Sequence, residues 1–282
     1  KAAKIAEARL QGLIEKNLRL KNIRVNDCKA AAKDRVSNGF KITLPEGFHM
    51  VANDTTETFS ASVTIFAEKL LSTFLLFEHE QFYAINKPHN VAVQGGSNIK
   101  FSLDDCFKYL RQSGHDLRLV HRLDKDTSGV LLIARSREAA IILTQAFKDK
   151  LIKKTYIALV LQSSQPASCM GTISTKIDDK DALTHYNILK SHRDVSLMEF
   201  KPVTGRMHQI RKHVLEIGGF ILGDSKYGSC EIFSPNLMLH ASEVCLPKEI
   251  FGENIIIKAK PHQNFLDLLQ KLLDTTYEVN VE

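Results

Sequence analysis

Apolar residues at Ala6, Leu10, Leu13, Ile14 and Leu18 recur every three or four positions, with Arg9, Lys16 and Arg19 between them. That spacing predicts an amphipathic helix with cationic sides. Ile23-Arg24-Val25 then reads as a short strand, Asn26-Asp27 as a turn, and Arg35 to Ile42 as a second extended stretch whose Asn38-Gly39 pair is the strongest local hairpin signal. One helix and a few small strands make a module with little core of its own. From about Met50 to Thr73 the periodicity gives way to Thr, Ser, Asn and Asp, which predicts a linker holding at most one strand.

The pattern beyond this is mostly of strand length. Phe82 to Asn86 is strand-like and closes on Lys87-Pro88, and Gly129 to Ala134 is a continuous apolar run. After it Ser136 is placed to cap a helix whose apolar positions are Ala139, Ile142, Leu143, Ala146, Phe147 and Leu151. Thr155 to Val160, Ser196 to Phe200, Glu243 to Leu246 and Asn254 to Lys258 read as further strands, with helices near Met207 to Glu216 and Phe265 to Leu273. Many strands with few interleaved helices predict an α+β architecture rather than a doubly wound sheet. The expected organisation is a small α/β module over residues 1–50, a linker over 51–75, a larger domain over 76–273 and a tail over 274–282. No internal repeat of solenoid period occurs.

Charge sharpens the picture at one end. The 282-residue chain carries a net +6, and residues 1–50 alone hold seven Lys and four Arg against five acidic groups. The other 232 residues therefore balance at 27 against 27. A compact basic module suits a polyanion, because neutralising phosphates releases counterions whatever their sequence. No run approaches the ~20 apolar residues of a membrane-spanning helix, and Lys1 to Ala8 has no signal-peptide core, so the expected address is cytoplasmic, with no membrane partner. The five cysteines never fall in a Cys-x-x-Cys pair, and no histidine shows ligand spacing; no metal is expected.

The densest polar segment is His121-Arg122-Leu123-Asp124-Lys125-Asp126-Thr127-Ser128-Gly129, directly before the most apolar strand. Two carboxylates, two cations and two hydroxyls at a strand entrance suit a loop held over a cleft. Asp124 lies between Arg122 and Lys125, cationic neighbours that suit an ionised, nucleophilic carboxylate. On composition alone, a polar turn with local salt bridges explains the segment as well.

His121 to Gly129 is also the full HRLDxxTSG signature, and the segment resembles the RluA-type RNA pseudouridine synthases. NKPHNVAVQGG at 86–96, KKTYIALV at 153–160, TGRMHQIRKH at 204–213, GDSKYG at 223–228 and LMLHA at 237–241 are similar to that family's other blocks, in the same order. The likeness spans about residues 77 to 265; His89-Asn90 stands where Ala-Gly is usual. The resemblance implies a mixed, largely antiparallel sheet with flanking helices around a central cleft. It implies Asp124 as the catalytic aspartate, attacking either the ribose anomeric carbon or the uracil ring. It implies that Arg122 fills the helix vacated by a flipped base and that Tyr156 packs on the uracil. Arg211 is expected to orient the catalytic carboxylate, with Arg206 a less favoured candidate for that role, while His121, Leu123 and Thr127 support the loop. GDSKYG reads as a structural turn. IRVND followed by a Lys-rich stretch and a hairpin is similar to the RNA-binding domain named after ribosomal protein S-four.

Isomerising uridine consumes no external group, so no cofactor is expected. A basic module joined to such a domain resembles the RluC and RluD branches, which implies RNA as the partner: large-subunit ribosomal RNA first, transfer RNA second. A monomer is the default. Two other functions compete: a non-catalytic RNA-binding assembly factor, which has no need of Asp124, Tyr156 and Arg211 as a set, and a glycosidase-like hydrolase, which would release free uracil.

Overall fold

In the computed structural model, which describes residues 14–15, 17–18, 20, 22–31, 34, 39–45, 59–96, 99, 101–162, 168–228 and 234–274, the chain divides into two units, Lys1–Thr56 and Glu57–Glu282. In the first, β1 (Arg24–Val25) pairs antiparallel with β2 (Cys28–Lys29) on one side and β3 (Ile42–Thr43) on the other. Asn26 and Asp27 have φ of 48° and 64°, the two-residue hairpin geometry that short polar side chains tolerate. The Asn26 side chain also accepts a hydrogen bond from the Lys41 amide at 2.8 Å, which fastens this turn to the segment entering β3. The hairpin turn is at Asn26-Asp27, where a turn was expected; of the second expected turn, Asn38-Gly39, Asn38 lies outside the described residues and Gly39 has φ of 92°. Most of the helix expected over Ala6 to Leu18 lies outside them as well.

The second unit contains β4 (Leu75–Glu78), β5 (Phe82–Lys87), β6 (Arg118–Leu119), β7 (Ser128–Ala134), β8 (Lys153–Gln162), β9 (Met170–Ile177), β10 (Lys180–His192), β11 (Val195–Pro202), β12 (Gly219–Ile221), β13 (Leu239–Leu246) and β14 (Ile255–Lys258). They form one 11-stranded sheet in the order β4-β5-β7-β13-β8-β11-β10-β9, with β12 added to β8, β14 to β13 and β6 to β7. Every pairing among the described strands is antiparallel except β7 with β13. The fold is therefore α+β, with helices α1 (Ala61–Leu70), α2 (Leu103–Gln112), α3 (Arg137–Lys148), α4 (Gln209–Glu216), α5 (Lys248–Phe251) and α6 (Gln263–Leu273) on the sheet faces.

The unbroken apolar run of β7 follows from burial on both faces. Leu131 and Ile133 pack with α1 and α2, whereas Val130, Leu132 and Ala134 pack with Ala139, Leu143 and Ala146 of α3. A third cluster joins β8, β11, β12 and β13 to α4 and α6 through Phe200, Val214, Phe265 and Leu269. As expected, the Ser136 hydroxyl caps α3, accepting from the Ala139 amide at 3.1 Å.

Two segments depart from the expectations. Residues 61–70, read as linker, are helical: Ser60 caps α1, and Val63, Ala67 and Leu70 enter the core at i, i+4 and i+7. Only three residues carry that period, one of them Ala, amid Ser and Thr. The β9–β10 hairpin turns at Asp178-Asp179, with φ of 52° and 60°, and bulges between Ile188 and Lys190. Turn residues other than Asn-Gly, together with that bulge, hide its alternation.

Candidate active site

The segment 121–128 links β6 to β7 and is fixed from every side. Leu123, 5% exposed, is driven into the cluster under α1 and α2. The Thr127 amide donates to the Asp124 carbonyl at 3.1 Å, closing a tight turn around Asp124. Buried Lys87, 0% exposed, donates from Nζ to the carbonyls of Pro88 (2.9 Å), Val91 (2.9 Å) and Lys125 (3.1 Å). All three ammonium protons are thereby used, one of them beside Asp124. Burial pushes the Lys87 pKa down to about 7, opposed by Asp126 and then Asp124.

Histidines complete the frame. One edge of β7 pairs along its length with β5, but the other changes partner, from β13 at Ser128 and Gly129 to β6 at Ile133 and Ala134. In the gap the Leu132 amide donates to Nε2 of His121 at 2.8 Å, and the His121 ring stacks on Phe147 at 4.3 Å. With Nε2 an acceptor, the neutral ring carries its proton on Nδ1. Burial first, then Lys154, brings the His121 pKa down to about 3. At the start of β7, His240 Nε2–H donates to the Ala259 carbonyl at 3.0 Å, which leaves Nδ1 to accept from the Ser128 hydroxyl at 2.9 Å. Gly129, at φ 115°, passes so close to β13 that a Cβ there would lie 2.2 Å from the Ala241 oxygen.

This frame holds Asp124 half-buried and Arg122 exposed on a cavity of about 680 Å³, a size that accommodates a nucleoside. Tyr156 and Lys154, two residues apart on β8, point into it, as do Phe147, Lys148 and Lys150 from the end of α3. Burial, then the Asp124 charge, raises the Tyr156 phenol above its usual range, so it stays protonated and offers an aromatic face.

The opposite wall is the loop 202–208 leading into α4. Gln209 fixes it with all four hydrogen-bonding positions of its amide: Oε1 accepts from Thr204 Oγ1 (2.7 Å) and the Arg206 amide (2.9 Å), and Nε2 donates to the Leu183 carbonyl (3.0 Å) and Thr184 Oγ1 (2.9 Å). Arg206 lies half-buried on the wall and donates to the Asp181 carbonyl at 3.0 Å. His208 takes a left-handed conformation, φ 55°, with Nδ1 3.0 Å from the Tyr227 hydroxyl. Its pKa is lowered, chiefly by burial, with Asp124 opposing.

Arg211 makes its direct contacts with a carboxylate other than Asp124. Its guanidinium forms a bidentate pair with Asp224, Nε to Oδ2 at 2.7 Å and Nη2 to Oδ1 at 2.5 Å, both groups buried. Asp224 Oδ1 also accepts the amides of Lys226 and Tyr227 at 3.0 Å each. Burial raises the Asp224 pKa, but the Arg211 hydrogen bond outweighs it, aided by the Tyr227 amide, the Arg211 charge and the Lys226 amide, and holds the group below the usual carboxylate range. No ion pair joins Asp124 to Arg211 among the described residues. Burial lowers the Arg211 pKa, but the Asp224 contacts and then the Asp124 charge outweigh burial and raise it. The segment read as a structural turn thus supplies Arg211's partner.

Asp124, Arg122, His121, Leu123, Thr127, Tyr156, Arg206 and Arg211 all line or support one cavity. Sequence reasoning missed Lys87, Lys154, Gln209 and the Ser128–His240 link, all inside segments it had quoted without assigning these residues roles, and it read Asp224 only as part of a structural turn. His89-Asn90 is accommodated because Asn90 takes φ 63°, where a glycine is otherwise favoured. No group of three or more His, Cys, Asp or Glu able to hold a metal occurs among the described residues, and no described helix is long and apolar enough to cross a membrane.

Comparison with known proteins supplies an independent line. Residues 81–216 match the family model described as RNA pseudouridylate synthase. A protein of Rickettsia felis named ribosomal large subunit pseudouridine synthase C is 41% identical, the alignment covering 91% of this chain and 90% of the relative. One of the same name from Buchnera aphidicola is 32% identical over 93% of this chain and 89% of its own. Among solved structures, human RNA pseudouridylate synthase domain containing 4 shares the fold, with a TM-score of 0.64 at 24% identity over 75% of this chain and 97% of its own. Human RNA pseudouridylate synthase domain containing 1 aligns with a TM-score of 0.57 at 25% identity, covering 76% and 92%.

Proposed function

We propose, from the premise that this chain belongs to the RNA pseudouridylate synthase family, that it isomerises uridines of large-subunit ribosomal RNA with Asp124 as the nucleophile. The single observation that carries the catalytic assignment is the half-buried Asp124, held at the floor of a nucleoside-sized cavity by a loop anchored through Lys87, His121 and Ser128. The substrate class follows the names of the 41% and 32% identical relatives.

The chemistry is economical. A uridine stacked in a helix hides its glycosidic bond, so the base must leave the stack; exposed Arg122, which lines the cavity, is assigned to fill the gap. Tyr156 presents a flat face on which uracil can bind and turn. The bond from N1 to the ribose carbon breaks, one from C5 to that carbon forms, C5 loses a proton and N1 gains one. Asp124 serves this route by attack at the ribose or at the ring. Arg211 acts on Asp124 through its charge while Asp224 keeps the guanidinium in place. The basic segment 1–50 is assigned to RNA binding, and the compartment is the cytoplasm, where ribosomal RNA is assembled.

The test is to incubate wild type and Asp124→Asn with unmodified ribosomal and transfer RNA and map pseudouridine at nucleotide resolution. The reading expects discrete sites in large-subunit RNA with wild type and none with the variant, which still folds and binds. Sites in transfer RNA alone overturn the substrate, and residual turnover by Asp124→Asn overturns the nucleophile.

A further inference from the structure

Lys154 is a cation without a counter-charge among the described residues. It lies half-buried on the cavity wall, two residues before Tyr156 on the same face of β8, and none of the described residues accepts a hydrogen bond from its Nζ or pairs with it. His121, whose pKa the Lys154 charge helps to lower, offers it no acceptor: Nε2 is already taken by the Leu132 amide, and the other nitrogen carries a proton. Burial lowers the Lys154 pKa with no opposing anion, in contrast to Lys87, whose burial Asp126 and Asp124 offset. A desolvated ammonium that the fold leaves unpaired is unfavourable until an anion arrives. Exposed Lys148 and Lys150 line the same cavity, and Lys150 is presented by a left-handed turn, φ 60°, that ends α3. The wall from α3 to β8 therefore collects three lysines facing the nucleoside pocket, and Asp124 supplies the pocket's negative charge from the floor.

We propose that Lys154 binds a backbone phosphodiester directly adjacent to the flipped uridine, with Lys148 and Lys150 extending the same anion track along the strand. The proposal rests on the reading of the cavity as the site that receives a uridine of RNA. A phosphate fits because it is a monoanion with several acceptor oxygens, enough for three ammonium donors that meet no acceptor among the described residues. Binding it beside Tyr156 fixes the ribose relative to Asp124, which a contact to the base alone cannot do once the base rotates.

The experiment uses the full chain carrying Asp124→Asn, so that no turnover intervenes, and an RNA hairpin containing a site that wild type modifies. Binding is measured over a salt series with and without Lys154→Met, and with methylphosphonate replacing each linkage beside the target in turn. Lys154→Met is expected to weaken binding roughly tenfold and to lower the slope of log affinity against log salt by about one. One neutral linkage should weaken binding by the protein that keeps Lys154 and leave the Lys154→Met variant unaffected. Since Met keeps the length and removes an unpaired charge, the melting temperature should hold or rise; a structural lysine would lower it. An unchanged salt slope, or equal sensitivity of both proteins to every linkage, overturns the proposal. The linkage scan on the protein that keeps Lys154 needs no substitution at that position, and indifference to every linkage overturns the proposal by itself. Failure of the wider reading looks different, because wild type would then form no pseudouridine in any RNA.

Discussion

A single lysine carries much of the loop geometry. Lys87 gives its three ammonium protons to three main-chain carbonyls, and one of these, on Lys125, adjoins Asp124. Lys87→Met leaves those carbonyls buried without a donor, and the expected loss of stability is about 3 kcal/mol, read by urea denaturation. Turnover should fall further than RNA affinity, because the loop that holds Asp124 loosens while the lysines proposed to bind RNA keep their places. A variant as stable and as active as wild type would remove Lys87 from this role. At this scale the sequence was informative about identity and nearly silent about partnership. HRLDxxTSG singled out Asp124, but nothing in a linear pattern says that the guanidinium of Arg211 reaches Asp224. The two lie 13 positions apart, on a helix and in the turn that follows β12, and only packing decides which carboxylate the fork meets.

At the scale of elements, the site depends on the change of partner along β7. Gly129 is needed twice, for its φ of 115° and because a Cβ would strike the Ala241 main chain. Gly129→Ala should therefore push β13 away, break the Ser128–His240 hydrogen bond and lower both melting temperature and turnover; unaltered kinetics would show that the close approach is dispensable. The strands of this region were legible because burial on both faces of β7 leaves a long apolar run. Helix α1 and the β9–β10 hairpin were not. Three apolar residues among hydroxyls make a weak helical signal, and paired aspartates look like any solvated stretch until both are seen at positive φ. The Asn26-Asp27 turn of the first unit, by contrast, was legible from its two short polar residues after an apolar stretch, and both take positive φ.

Across the whole second unit, neutral imidazoles make stability depend on pH. Burial lowers His240 to about 4, with the Ala259 carbonyl favouring protonation and His262 opposing it further. It lowers His262 to about 4, aided by His89, and His121 to about 3, aided by Lys154. Unfolded histidines titrate near ~6.5. Between that value and about 4 the unfolded chain binds protons that the folded chain refuses, so stability is full above ~6.5 and is lost as pH falls through the folded values. For fully buried His240 the loss is on the order of 3 kcal/mol, and His240→Gln should flatten the slope of urea midpoint against pH between about 6.5 and about 4. A wild-type midpoint that does not move in that window would contradict the neutral-ring assignments. The α+β class could be read from strand count, whereas the site's assembly from β7, β8, β13 and α4 could not, because those pieces are joined by pairings between distant segments.

One such pairing sets the order in which the protein matures. Ser128 and His240 are 112 positions apart, and the strands β8 to β12 that run between them must be made first. A chain emerging from its N-terminus displays the Asp124 loop long before β13 exists to hold it, and closing so long a loop is entropically slow. With Asp124 proposed as the nucleophile, the nascent chain is expected to be inert until β13 and the Ala259 carbonyl have left the ribosome.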